Sequence, residues 1–170
     1  MAPSKIVDNL DKLQECILQE SRARKLEFDK KYNKAIYQRF RDGGSIPFDE
    51  MAGFTPGHTV DFPSINESII KTTRVMTGDK DTLEFITSFE KGAILKRHQH
   101  DDCDEYLTVP SDCSGMFLIL SGREQDGTLM YTVLTAGDDE MLIPKGVVHQ
   151  VSNISRKDCK LHVRFVRNDK

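Results

Sequence analysis

The stretch that decides the reading lies between residues 92 and 153. It opens with GAILKRHQHDDCDE at 92–105 and closes with GDDEMLIPKGVVHQVSN at 137–153. If the run into His98 and His100 is a strand, side chains two apart share one face, and both imidazoles point the same way. Glu105 follows after a short turn, and His149 lies about fifty residues on. Together they would make a cluster of three histidines and one carboxylate. Nitrogen and oxygen donors of this kind suit iron, manganese, nickel, copper or zinc, and leave positions open for a substrate. The bland alternative is a set of surface imidazoles in turns, which a single His would suggest but this constellation does not.

The two segments resemble the two signature motifs of the cupin superfamily. The first motif has the form G-x5-H-x-H-x(3,4)-E-x6-G, and the second is close to G-x5-P-x-G-x2-H-x3-N. The resemblance implies His98, His100, Glu105 and His149 as metal ligands. It also implies Gly92, Gly137, Pro144, Gly146 and Asn153 as turn and second-shell positions. The second motif fits except for one extra residue between Gly137 and Pro144. The first departs at its end, where the family's Gly would fall on Asp112; the nearest glycines are Gly115 and Gly122. If Gly115 is the motif Gly, EYLTVPSD carries the strand after the ligand turn and Glu105 is a ligand. If Gly122 is, Glu105 sits in an insertion. The first alignment is preferred because it gives each apolar run a strand and each polar run a turn.

A chain of 170 residues is long enough for one domain with a full core and little more. A net charge of −3 with a pI near 6.0 argues against a dedicated nucleic-acid binder. No stretch approaches the length of a membrane span, and the N-terminus carries charges where a signal peptide would be apolar. Cys16, Cys103, Cys113 and Cys159 show no C-x-x-C pairing, so reduced thiols in a cytoplasmic protein are expected. A Cys103–Cys113 bridge is the alternative.

Residues 4–41 read as helix, with Ser4 as the cap and Ile6, Leu10, Leu13 and Ile17 at helical spacing. Within them, residues 22–41 hold eight basic and two acidic side chains, a local charge of +6. A solvated face with lysine stems over apolar neighbours explains this without a partner. Residues 42–67, rich in Gly, Pro and Asp, read as an ordered connection, with His58 at its surface. From residue 68 onward short strands alternate with turn signals, as in a sandwich or barrel. The expected architecture is therefore mainly β: a cupin-type double-stranded β-helix (jelly-roll) barrel over 68–170, with an N-terminal α-helical arm and connection over 1–67. Pro144 and Gly146 suit the second and fourth positions of a type I turn feeding the His149 strand.

Strand alternation fills in the cavity. Ile94 and Lys96 should share the face of His98, with Arg97 outside. Leu107, Val109, Val151 and Asn153 should point in, as should Leu83, Phe85, Thr87 and Phe89. Leu161, Val163 and Phe165 claim the interior, which puts His162 and Arg164 outside. The cavity would be mostly apolar with the metal at one end. Lys96 and Phe85 are the substrate-binding candidates. Lys96 either holds an anionic substrate or snorkels out of the mouth, and Asn153 is the second-shell candidate. The resemblance implies a divalent transition metal, with iron first and manganese, nickel or zinc as alternatives. It also implies a small-molecule substrate and a homodimer. An Fe(II)-type dioxygenase on a small, anionic metabolite leads; a metal-assisted isomerase or lyase, or a non-catalytic ligand-binding protein, are the alternatives.

Overall fold

The computed structural model describes residues 44–65, 68–123 and 127–169, and before them only positions 5, 6, 12, 13, 15, 16 and 19. The basic run at 22–41 lies outside the described residues. Two antiparallel sheets face each other. The first has the order β1 (Lys5–Ile6), β8 (Met130–Thr135), β7 (Met116–Ser121), β10 (His149–Asn153), β5 (Ile94–His98). The second has the order β2 (Thr59–Pro63), β3 (Ile69–Val75), β4 (Thr82–Phe89), β11 (Cys159–Arg167), β6 (Cys103–Thr108), β9 (Met141–Ile143). A short helix, α1 (Phe48–Ala52), packs Phe48 and Met51 onto the core.

Alternation of side chains builds the space between the sheets. On β4 every second residue is buried, so Leu83, Phe85, Thr87 and Phe89 point in as the sequence predicts. On β11, Leu161, Val163 and Phe165 join them. His162 and Arg164 face out, where they meet Glu84 at 3.5 Å and Glu140 at 2.9 Å. By contrast β7 is buried along its whole length. Its Phe117 and Ile119 enter the core between the sheets, while Met116, Leu118 and Leu120 form a second cluster on the outer face, with Leu13 among them. An unbroken apolar strand needs cover on both faces, and Leu13, fully buried, supplies part of it.

Several expectations need correction. Lys5–Ile6 pairs with Tyr131 and Met130 as a strand instead of starting a helix, although positions 12, 13, 15, 16 and 19 are helical. The connection before residue 68 contains α1 and β2, and β2 pairs along β3 from Thr59 to Pro63. It carries no clean period because much of it lies at the sheet edge or in turns. The turn before β10 begins at Pro144, with Val147 N–H donating to Pro144 O at 3.2 Å. Gly146 is then its third residue, at φ +81°, a conformation that suits glycine and marks a type II geometry.

The largest correction is on β5. His98 pairs with His149, yet the next pairs are Leu95 with Val151 and Ile94 with Ser152. Lys96 and Arg97 together therefore stand opposite Gln150 alone, which is a β-bulge. One extra residue reverses the alternation upstream of it. Leu95, not Lys96, packs toward the core with His98, and Ile94 belongs to the outer cluster. Lys96 is exposed, and Arg97 is buried at 3% exposure, the reverse of the expected assignment.

The cysteines also differ from expectation. Cys113 and Cys159 form a disulfide, with Cα atoms 6.1 Å apart, and Cys103 is a buried free thiol. Burial, followed by the charge of Asp102, pushes the Cys103 thiol up to about 12, so it stays protonated. Cys113 lies in the loop after β6 and Cys159 opens β11, a contact between segments that no local spacing encodes. Gly115 is packed so closely against this bridge that a Cβ would overlap Cys159 Sγ.

Candidate metal centre

Three strands and one turn deliver the cluster. His98 ends β5, and His100 follows one bridge residue later. Glu105 lies on β6, and His149 opens β10 directly across from His98. All four are buried. Glu105 stands among the histidines, as the alignment on Gly115 expects: its Oε2 lies 2.7 Å from His149 Nε2 and 3.5 Å from His100 Nε2. One ligand atom from each of the four residues falls within 4.8 Å of the others. Donors about 2.1 Å from one ion lie at most about 4.2 Å apart, so about half an ångström of contraction would close the set on a metal.

Backbone carbonyls set the tautomers. His98 Nδ1 lies 2.7 Å from Lys96 O, His100 Nδ1 2.9 Å from Ile46 O, and His149 Nδ1 2.9 Å from Val147 O. A carbonyl can only accept, so each Nδ1 carries the proton and donates it. In the neutral imidazole each Nε2 then keeps its lone pair, free to bind a cation. The bulge and the Pro144 turn thus have a local role, since they place the carbonyls of Lys96 and Val147. The turn itself is tied to the cluster: Gly146 N–H donates to His100 O at 2.6 Å and Lys145 N–H to Asp104 Oδ1 at 2.9 Å. Ile46 has no side-chain signal for its part, because only its carbonyl acts. Two backbone bonds between residues 44–46 and Gln99 hold it there.

The electrostatics leave a cation-shaped demand. His100 Nε2, His149 Nε2 and Glu105 Oε2 are all buried without a hydrogen-bond partner that satisfies their geometry. Such atoms are costly in a protein interior. A divalent cation among them would satisfy all three, together with His98 Nε2, so the residues fit a metal. In the metal-free protein, burial and then the charge of His149 push His98 down to about 3, and burial lowers His100. Burial alone would raise Glu105, but His149 beside it holds its carboxyl below the usual range. Burial likewise opposes a proton on His149, but Glu105 outweighs it and raises the imidazole's pKa.

These directions set a pH dependence for the metal-free protein. His98 and His100 are held neutral in the fold, so their contribution is complete above the ordinary value of 6.5 and is lost as pH falls toward the folded values. Glu105 adds a loss below its ordinary 4.5. The raised His149 acts in the opposite sense: its stabilisation is complete below 6.5 and fades as pH rises through its folded value. Denaturant midpoints of chelator-treated protein should therefore peak near pH 6.5 and fall by pH 4. A midpoint that climbs steadily down to pH 4 would contradict these assignments.

Asn153 does not touch the histidines. Its amide donates to the carbonyls of Phe89, Glu90 and Lys157, and its oxygen accepts from Ser155 N–H and Oγ. It staples the end of β10 to the turns around it. Replacing Asn153 by Ala should cost about 2–3 kcal/mol in chemical denaturation, because buried carbonyls lose their donor. Metal content of the folded fraction should not change; a selective loss of metal would return Asn153 to a supporting role for the ligands.

The cluster opens on a cavity of about 320 Å³, into which His98, His100 and Glu105 project from one side. Phe85 lines it, as expected. Lys96 contributes to its wall from an exposed position beside the bulge. Phe165, whose ring lies 4.8 Å from that of His100, was grouped with the interior by alternation, but nothing in the sequence places it against a ligand.

Comparison with solved structures finds chains of similar fold. The chain is similar to a predicted oxalate decarboxylase from Thermotoga maritima, with a TM-score of 0.51 and 12% identity over 64% of this chain and 91% of that one. A RmlC-like cupin from Shewanella frigidimarina gives 0.44 and 23% over 57% and 75%. A recombinant oxalate oxidase in complex with glycolate gives 0.47 and 18% over 68% of this chain, which spans 55% of that one. No protein-family model and no curated protein sequence matches the chain. At these identities the likeness speaks for the fold alone. On that fold, the two segments that resemble cupin motifs supply the four clustered side chains.

Proposed function

We propose that this protein is a metal-dependent enzyme that acts on a small molecule held in the cavity beside His98, His100, Glu105 and His149, with Fe(II)-type dioxygenation as the leading chemistry. The observation that carries the reading is the convergence of four buried donor atoms beside an open cavity. A purely structural metal site has no need of such a space. A divalent metal bound there would supply Lewis acidity and, if it were iron, redox access to O2. The chain's own residues do the rest. Three carbonyl-anchored imidazoles hold Nε2 in fixed positions, Glu105 supplies the negative charge, and the apolar walls keep bulk water from the reacting end.

No helix among the described residues is long and apolar enough to cross a membrane. The Cys113–Cys159 disulfide favours an oxidising compartment over the cytoplasm. Pairing of two chains belongs to the same proposal and is checked by sedimentation at micromolar concentration.

The decisive experiment is elemental analysis of the purified protein, followed by an O2-electrode screen of candidate small molecules with the iron-loaded form. One equivalent of a divalent transition ion and substrate-dependent O2 consumption are expected. Bound metal with non-oxidative turnover would favour isomerase or lyase chemistry. Bound metal and a co-purified ligand without any turnover would favour a sensing role. Protein that neither contains nor takes up metal would sink the enzyme reading.

A further inference from the structure

The cavity wall has a direction. Starting from His100, the ring of Phe165 lies 4.8 Å away, Phe85 is 5.9 Å from Phe165, Phe54 is 5.8 Å from Phe85, and Phe62 is 5.9 Å from Phe54. These rings come from β11, β4, the loop after α1 and β2, so they are not a by-product of one strand's alternation. Phe165 and Phe85 are buried, whereas Phe54 and Phe62 are half-exposed. The run therefore leads from the cluster toward the surface. Leu95, Val151, Leu161 and Val163 fill the wall between the rings. Thr72 and Thr87 are also in it, but their hydroxyls bond each other at 2.9 Å.

A space of about 320 Å³ is of the size that holds a small molecule. Its walls also offer water few partners, so filling it with solvent gains little. Glu50, Lys96 and Arg97 add polar atoms to the lining, but carbon makes up most of it, so a compact dianion would lose hydration over much of its surface. We infer that the cavity is built for an amphiphilic ligand, with one oxygen-bearing, metal-chelating head at the histidine cluster and an apolar tail, aliphatic or aromatic, lying along the phenylalanine run. This rests on the metal reading for the head, while the tail rests on the cavity alone. It also revises the substrate class from a small anionic metabolite to a molecule whose polar part is confined to one end.

The test uses two homologous series in calorimetric titrations. Alkyl hydroxamates from acetohydroxamate to octanohydroxamate probe the metal-loaded protein, and 1-alkanols of matching length probe the same protein without needing a metal. Affinity should rise about three- to fourfold per added methylene in both series, the gain from burying one CH2 group. Filling the wall with Val163→Phe should flatten both slopes. If that variant does not fold, the wild-type slopes carry the test by themselves. Affinity that is flat or falls with chain length in both series, or oxalate binding more tightly than octanohydroxamate, would overturn the inference. A full slope for the alkanols in protein that takes up no metal would overturn the metal reading and leave the apolar channel standing.

Discussion

Replacing His149 by Ala is expected to cost the metal-free protein about 3–5 kcal/mol, the range for breaking a buried ion pair by removing one partner. His149 is fully buried and its Nε2 lies 2.7 Å from Glu105 Oε2. Without it, a carboxylate with 6% side-chain exposure remains in the interior with its closest positive partner gone. The same change removes one of the four converging ligands. Residues that merely orient metal ligands contribute about 10- to 100-fold in affinity, so loss of a ligand should cost at least about 100-fold. Both effects are measurable on one preparation, by denaturation with chelator present and by competitive metal titration. Adding Glu105→Gln should recover part of the lost stability, since the stranded charge is then absent, but none of the metal affinity. A His149→Ala protein as stable as the parent and still holding an equivalent of metal would remove the cluster from consideration as a metal centre.

Reduction of Cys113–Cys159 is the second large effect. The bond closes a loop of sequence separation 46, for which the chain-entropy estimate is about 4 kcal/mol. For a domain of this size that corresponds to about 8–16 °C in Tm. Cys16 and Cys103 are free, so a reductant acts on this bridge alone among the described cysteines. Thermal unfolding with and without reductant, and of the Cys113→Ser/Cys159→Ser double variant, should give the same shift. Mass spectrometry after alkylation of the oxidised chain in denaturant should find two alkylated thiols. Four alkylatable thiols, or a Tm indifferent to reductant, would show that the bridge does not hold this fold together.

Much of the centre was legible from spacing. His98 and His100 lie two apart, and Glu105 and His149 sit at motif positions. The strands from β3 to β11 follow apolar runs bounded by turn residues, and on β4 and β11 simple alternation assigned each side chain to the correct face. It did so because those strands are regular and half-buried, the condition under which a period of two carries information.

What the sequence determined by itself is therefore the set of candidate ligands and the strand-rich frame that brings them together, because both are written in side-chain identity and period. Tertiary structure decided the rest. The bulge at Lys96–Arg97 reversed the faces upstream of His98, and no residue type announces an extra residue whose signature is a register shift against another strand. The carbonyls of Ile46, Lys96 and Val147 fix the three imidazoles, yet a carbonyl is the same in every residue, so only chain placement can select it. The disulfide joined Cys113 to Cys159 because two distant segments meet in space. The line of phenylalanines leading away from His100 exists only once four separate elements are packed around one cavity.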